Sequence, residues 1–263
     1  LYQAVFGRNG DTPIVVLAAA TPSDCFAMAR EAVRLAVHHM TPVMLLTDGY
    51  IANASELWAI PDFDAYAPIG NTRPDSTTEG SVFQRDPATQ GRVWAVPGDR
   101  RTMYRVGGIE KDIRTGNISY EPENHEHMTH TRQAKIDKIA DRLPPAQIDG
   151  PPTGDVLIVG WGGTYGALRQ AANQLRTEGH AVGHLHLRYL NPLQSNVGAL
   201  LARYRRVVVA ELNLGQLRSI LRDKFLVDAR GLNKIQGKPF KVREVVEAVR
   251  KLLPVPASRE LHA

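Results

Sequence analysis

The chain of 263 residues has a single cysteine, Cys25. That scarcity excludes internal disulfides and any zinc or iron–sulfur site built mainly from its own thiolates, so a metal cluster serving this protein would sit on a partner. No run of 18 or more apolar residues occurs, and no stretch reads as a membrane-spanning helix. The opening residues Leu1, Tyr2 and Gln3 have neither a basic n-region nor an apolar h-region. The expected location is therefore the cytoplasm, without a membrane partner. Internal repeats and low-complexity tracts are also lacking.

What is present is a globular composition. With 43% apolar residues the chain can bury two cores of ordinary size. Charge is unevenly shared: residues 1–150 carry 15 Lys and Arg against 19 Asp and Glu, residues 151–263 carry 17 against 8. A basic half suits nucleic acid, a phosphorylated cofactor or an acidic partner. The basic residues are scattered along helices with no aromatic-plus-basic motif, so nucleic acid is not expected as a partner.

Ile14 to Ala19 reads as a buried strand, and Thr21, Pro22, Ser23 and Asp24 as a helix start. Cys25, Ala29, Ala32, Val33, Ala36, Val37 and Met40 then recur at helical spacing. Pro42 ends that helix, and Val43 to Leu46 forms a second strand that closes a parallel β-α-β unit, with Asp48 at its carboxyl end. Between Ile60 and Asn124 periodicity gives way to six prolines, Pro61, Pro68, Pro74, Pro87, Pro97 and Pro122. A segment of this length without regular structure serves a site or wraps a partner, or else is a mobile insertion. A helix follows, with Met128, Ile136, Ile139 and Leu143 as its stripe, and stops before Pro144 and Pro145.

Residues 146–152 read as a linker. Beyond it, Val156–Val159, Val182–Leu187, Val207–Ala210 and Leu232–Ile235 are expected strands. Helices near Val197–Ala202, Gln216–Leu226 and Val242–Leu253, and one through Leu168 and Leu175, complete an open α/β sheet.

Several motifs carry chemistry, each beside a plainer reading. The turn Gly160-Trp161-Gly162-Gly163 between strand and helix suits a phosphate, yet its spacing is not G-x-G-x-x-G and no acid follows near Leu187. Such glycines more often simply permit the tight turn and close packing. Asp48 and Asn53 resemble a diphosphate-and-magnesium motif, but the spacing is short, and a loop capped by Asp48 and Ser55 accounts for them. His125, His127 and His130 do not share one helix face and read as exposed. Glu211, Asn213 and Gln216 project at a strand's carboxyl edge, where they contact a partner or cap a helix. Arg105, Glu110 and Asp112 concentrate charge in the proline-rich segment. A guanidinium there grips a carboxylate or phosphate through two bonds, with Glu110 or Asp112 orienting it; the alternative is a surface ion pair.

Several blocks in order carry a resemblance that runs nearly the whole chain: Leu45 to Glu56, Pro97 to Lys111, Gly116 to Tyr120, Glu211 to Leu217, and Gln236 to Phe240. Together they resemble the carboxyl-terminal portion of the α subunit of 2-oxoacid:ferredoxin oxidoreductases, most closely the 2-oxoglutarate type. The resemblance implies an α/β fold. Residues 1–145 would form the later part of a thiamine-type pyrimidine-binding domain with a long loop, and 153–263 a transketolase-C-terminal-like open-sheet domain. It implies an enzyme subunit inactive alone, whose β subunit carries thiamine diphosphate, magnesium and an iron–sulfur cluster. Coenzyme A would be co-substrate and ferredoxin the electron acceptor. The alternative role is a non-catalytic assembly module docking that β subunit.

The family's amino-terminal part, with its Tyr-Pro-Ile-Thr-Pro-type motif and the glutamate that activates thiamine, has no counterpart here. No catalytic residue carries over. The stretch Gly98 to Arg105 also differs from the Gly-Leu-Glu-His-Arg-like sequence of similar chains. What remains are path candidates for substrate or coenzyme A (Arg105, Glu110, Asp112) and partner or sheet-edge candidates (Asp48, Asn53, Glu211, Asn213, Gln216).

Overall fold

The structure, a computed structural model, describes residues 1–74 and 82–254. The last residues of the expected second domain, 255–263, lie outside the described residues.

A short helix α1 (Tyr2–Phe6) precedes β1 (Val15–Ala18), α2 (Asp24–His39), β2 (Val43–Leu46) and α3 (Gly49–Asn53). The proline-rich segment contributes two short 3-10 turns, Phe63–Ala65 and Arg100–Thr102, before α4 (Pro122–Ala140). There follow β3 (Ile148–Asp149), β4 (Gly154–Trp161), α5 (Tyr165–Thr177), β5 (Val182–Leu187) and β6 (Tyr189–Asn191). The chain continues through α6 (Val197–Leu201), β7 (Tyr204–Glu211), α7 (Gln216–Phe225), β8 (Ala229–Asn233) and α8 (Val242–Arg250).

Two sheets result. The first has the order β2-β1-β6, with β1 parallel to β2 and antiparallel to β6. The second has the order β3-β5-β4-β7-β8, parallel except for the edge strand β3. β6 belongs by sequence to the later half and by pairing to the earlier one. Asn191 reinforces this by donating to the Ile14 carbonyl at 2.6 Å.

The central strands are apolar on both faces because each lies between two cores. Val15 and Leu17 meet Met28 and Leu35 of α2 and Ile136 and Ile139 of α4. Val16 and Ala18 instead join Leu157, Val159, Leu185 and Val209 of the second sheet. On that sheet's far side, Val156 and Ile158 pack with Leu168 and Leu175 of α5 and Val245 and Val249 of α8. The continuous run Val15–Ala18, fully buried, is thus the hinge between the two halves' cores.

Three expectations need correction. The buried stripe of α2 is Met28, Leu35 and His39, flanked by Cys25 and Ala32, while Ala29 and Val33 face solvent. The larger side chains take the core-facing arc and displace the alanine phase. β8 runs Ala229–Asn233 rather than Leu232–Ile235, because the chain turns away after Asn233 and Lys234 pairs with Glu244 at 2.7 Å. The residues after Asp48 form α3, where a capped loop is expected; Asp48 does cap it, taking the Ile51 amide at 2.9 Å. Ile136, Ile139 and Leu143 are buried as the spacing predicts.

Candidate functional site

The carboxyl ends of β2, β4 and β7 meet in a network of polar side chains. Asp48 spans the first junction: beyond capping α3, its second oxygen accepts the Gly163 amide at 2.6 Å. A Cβ at Gly163 would lie 2.7 Å from both Asp48 oxygens, so glycine is required there by the approaching carboxylate. The anion at this turn is a side chain of the protein itself, which removes the reason to read the glycines as a phosphate cradle.

Glu211 closes the next junction. It is fully buried and accepts the Leu217 amide at 2.8 Å, the Arg218 amide at 3.1 Å and the Trp161 indole at 3.1 Å. Asn213 donates to the same carboxylate at 3.1 Å and accepts the Gly215 and Gln216 amides at 2.8 and 2.9 Å. These bonds satisfy the otherwise orphaned N–H groups at the start of α7. Gln216 accepts the Tyr2 amide at 3.0 Å and so anchors α1. Glu211, Asn213 and Gln216 are therefore brought together as a capping cluster, and Trp161 links them to the Asp48 turn. Asn53 stands apart, exposed, donating to the Gly49 carbonyl at 2.7 Å.

The proline-rich segment forms the second constellation. Two hairpin turns share one design: Asp86 accepts the Ala88 and Thr89 amides at 2.8 and 2.6 Å, and Asp112 accepts the Arg114 and Thr115 amides at 3.0 and 2.7 Å. Each closes an isolated antiparallel bridge, Arg85 with Arg92 and Lys111 with Ile118. The Thr115 amide and hydroxyl hold the Asp112 carboxyl below its ordinary range.

The expected Arg105–Glu110–Asp112 grouping does not form as drawn. Asp112 is spent on its turn, and Glu110 pairs with His125 and, at 3.3 Å, with Arg132. Burial alone would push the Glu110 carboxyl up, but the bonds from His125 and Arg132 outweigh it and leave it below the ordinary value. Arg105 is exposed and contributes its carbonyl to Lys111 at 3.0 Å, and its side chain has no ion pair among the described residues. Arg105, Glu110, Lys111, Arg132 and Tyr104 nevertheless line one open cleft of about 560 Å³. His125, His127 and His130 are exposed on α4.

Two groupings have no obvious sequence signal. Arg85, Arg92 and Lys135 bring three cations together from segments some forty residues apart; the Asp-x-x-Thr turn signature could have paired Arg85 with Arg92, but nothing local points to Lys135. His184 and His186 point to one face of β5, each ring within 6 Å of Tyr165. Burial pulls the His184 imidazole down to about 4 and also holds His186 well below its ordinary value.

Among the described residues no three His, Cys, Asp or Glu side chains are grouped to hold a metal ion. The one cysteine cannot carry a cluster, and the Asp48 carboxylate fills the Gly162–Gly163 turn that would otherwise suit a diphosphate. The donor set of the described residues does not fit the metal–diphosphate end of a thiamine cofactor.

Two family models match in order. Residues 1–96 match the model described as pyruvate flavodoxin/ferredoxin oxidoreductase, thiamine diP-bdg, and residues 154–250 match pyruvate:ferredoxin oxidoreductase core domain II. Subunit KorA of a 2-oxoglutarate oxidoreductase from Mycobacterium tuberculosis is 47% identical over 255 residues, 96% of this chain and 39% of that protein. The α subunit of 2-oxoacid:ferredoxin oxidoreductase 2 from Aeropyrum pernix is 29% identical over 96% of the chain and 40% of its own length. The chain thus spans about two-fifths of the length of these curated relatives.

Among solved structures, 2-oxoglutarate:ferredoxin oxidoreductase from Magnetococcus marinus, with 2-oxoglutarate, coenzyme A and succinyl-CoA bound, superposes with a TM-score of 0.88 at 26% identity. The match covers 97% of this chain and 45% of that one. The α/β fold, the two family models and the KorA relationship agree, and the chain belongs to the α subunits of the 2-oxoacid:ferredoxin oxidoreductase family.

Proposed function

We propose that this chain is part of the α subunit of a cytoplasmic 2-oxoglutarate:ferredoxin oxidoreductase. The reading rests chiefly on the 47% identity to a KorA subunit sustained over 96% of the chain. The complete enzyme converts 2-oxoglutarate and coenzyme A to succinyl-CoA and carbon dioxide, passing two electrons to ferredoxin. Thiamine diphosphate, when bound, supplies the carbanion chemistry. In this reading its diphosphate, magnesium and an iron–sulfur cluster are held by a β subunit, which accords with a chain that has one cysteine and no grouped metal ligands among its described residues.

The same reading gives the proline-rich segment its role. Ile60, Phe63, Met103 and Val106 are largely exposed there, as is Leu57 just before it, apolar side chains of the kind subunits bury against each other. Arg105 lines the 560 Å³ cleft, its guanidinium without an ion pair among the described residues, and can meet a substrate carboxylate or a coenzyme A phosphate. Glu110 and Asp112 then act as positioning residues: Glu110 fixes His125 and Arg132, and Asp112 fixes the hairpin behind them.

The test uses the full α subunit assembled with its partner. Coenzyme A-dependent reduction of a low-potential viologen by 2-oxoglutarate is measured for wild type and for Arg105→Ala. Activity in the wild type, and a rise in KM for one substrate of about tenfold or more in an intact Arg105→Ala complex, support the reading. A wild-type complex inert towards every 2-oxoacid tried overturns it. Full activity in Arg105→Ala removes the role of Arg105.

A further inference from the structure

The Arg85–Arg92 hairpin gathers positive charge that no carboxylate among the described residues neutralises. The antiparallel bridge sets the two arginines opposite each other, and the Nε of each is buried without a hydrogen-bond partner. Lys135 of α4 adds a third cation from behind. It is buried, and among the described residues its Nζ donates only to a neutral group, the Met40 carbonyl, at 3.2 Å.

The neighbouring acids are committed elsewhere. Asp86 serves its own turn, Glu110 pairs with Arg132 and His125, and Glu31 pairs with Arg34 at 2.7 Å. Desolvated cations side by side repel one another, and a buried donor without an acceptor forfeits its hydration. Such a cluster calls for a counterion, since unsatisfied buried groups in a native protein mark a missing water or ion.

There is room for one larger than a simple ion. A cleft of about 390 Å³ opens beside Arg85 and Arg92 and is walled by His38, Arg142, Thr89 and Asp86, the last with an oxygen turned to the Ala88 and Thr89 amides. That volume is in the range of small organic ligand sites. Paired guanidinium forks match phosphoryl oxygens, and three uncompensated charges exceed what one carboxylate can balance.

We propose that the Arg85–Arg92 hairpin, backed by Lys135, is a binding site for a small anion carrying two or more phosphoryl groups, either free diphosphate or the diphosphate of a nucleotide. Arg85 and Arg92 also line the 560 Å³ cleft of Arg105, so the site adjoins that face, but it does not depend on the role given to Arg105. Lys135 reports on it: burial and the two guanidinium groups pull its amine down to about 8, and an anion beside it reverses that pull.

The test is calorimetric titration of the assembled enzyme with inorganic pyrophosphate and with ADP at fixed ionic strength, in wild type and in the double variant Arg85→Gln/Arg92→Gln. Saturable binding that weakens at least about tenfold in the variant is expected. Tighter ADP binding identifies a nucleotide as the natural source, and tighter pyrophosphate binding identifies the free anion. Lys135→Met, which leaves the hairpin untouched, provides a second reading and is expected to weaken binding severalfold. Absence of saturable binding in the wild type, or equal affinities in wild type and both variants, overturns the proposal.

Discussion

The Asp24 carboxylate takes the Arg188 guanidinium at 2.6 Å with one oxygen and the Ala20 amide at 3.0 Å with the other. This ion pair joins the first turn of α2 to the link between β5 and β6, across 164 positions of sequence. Tyr189 extends it by donating to Glu31 at 3.2 Å. The contact between the two halves is therefore polar at its rim and apolar at β1.

Asp24→Asn should lower stability by about 1–2 kcal/mol. The Asp24 side chain is mostly buried, but Arg188 keeps 41% of its surface exposed, so solvent screens part of the pair. Thermal unfolding is expected to show a midpoint about 2–8 °C lower in the variant.

Glu211 carries more. Replacing it with Ala strands the Leu217 and Arg218 amides and the Trp161 indole in a fully buried place. A loss of about 3–5 kcal/mol is expected. Glu211→Gln keeps one acceptor oxygen and should recover part of it, as denaturant unfolding curves would register.

Glycine positions three residues apart should respond oppositely. Gly163→Ala drives a methyl into Asp48 and breaks the 2.6 Å bond between β2 and β4, at a cost of about 1–3 kcal/mol. Gly166, in the first turn of α5, has nothing within 4 Å of an added Cβ, and Gly166→Ala should stabilise by about 0.4–1 kcal/mol. Paired melting curves would separate the two.

Acid should unfold the protein along a slope set partly by His184. Its folded pKa, about 4, lies below the ordinary imidazole value, so the unfolded state binds the extra proton. The stability this represents is full above pH 6.5 and is lost as pH falls toward 4. His184→Phe should flatten the curve in that window by about one proton, or roughly 1.4 kcal/mol per pH unit at most. The unfolding free energy measured in steps between pH 7 and 4 checks this.

Much of the fold was legible because its central strands are short apolar runs between breakers. Val43–Leu46 and Val182–Leu187 have the expected ends, and the helices of the second half fall where their stripes put them. β6 escaped because three residues following Arg188 carry no periodicity, and only pairing with β1 makes them a strand. α2 was misphased because alanines and valines mark both faces, and size, not apolarity, decides which turns inward.

The site was less legible for a different reason. Asp48 and Glu211 stood out as polar groups at strand ends, yet their partners, Gly163 and Trp161, lie 115 and 50 positions away. Arg105, Glu110 and Asp112 were close in sequence, which wrongly favoured their pairing with each other. Hairpin turns at Asp86 and Asp112 use up local acids, and of the cations left over, Arg85 and Arg92 are paired by a local turn while Lys135 joins them only in three dimensions.

The placement of β6 bears on how this architecture is inherited. A recombination that exchanged residues 154–250 for a homologous block would also replace the outer strand of the first sheet, together with Arg188 and Asn191. The incoming block would have to present a strand that fits β1 and a cation that finds Asp24. The two halves are thus held to a shared history, and a change on either side of that seam must be answered on the other.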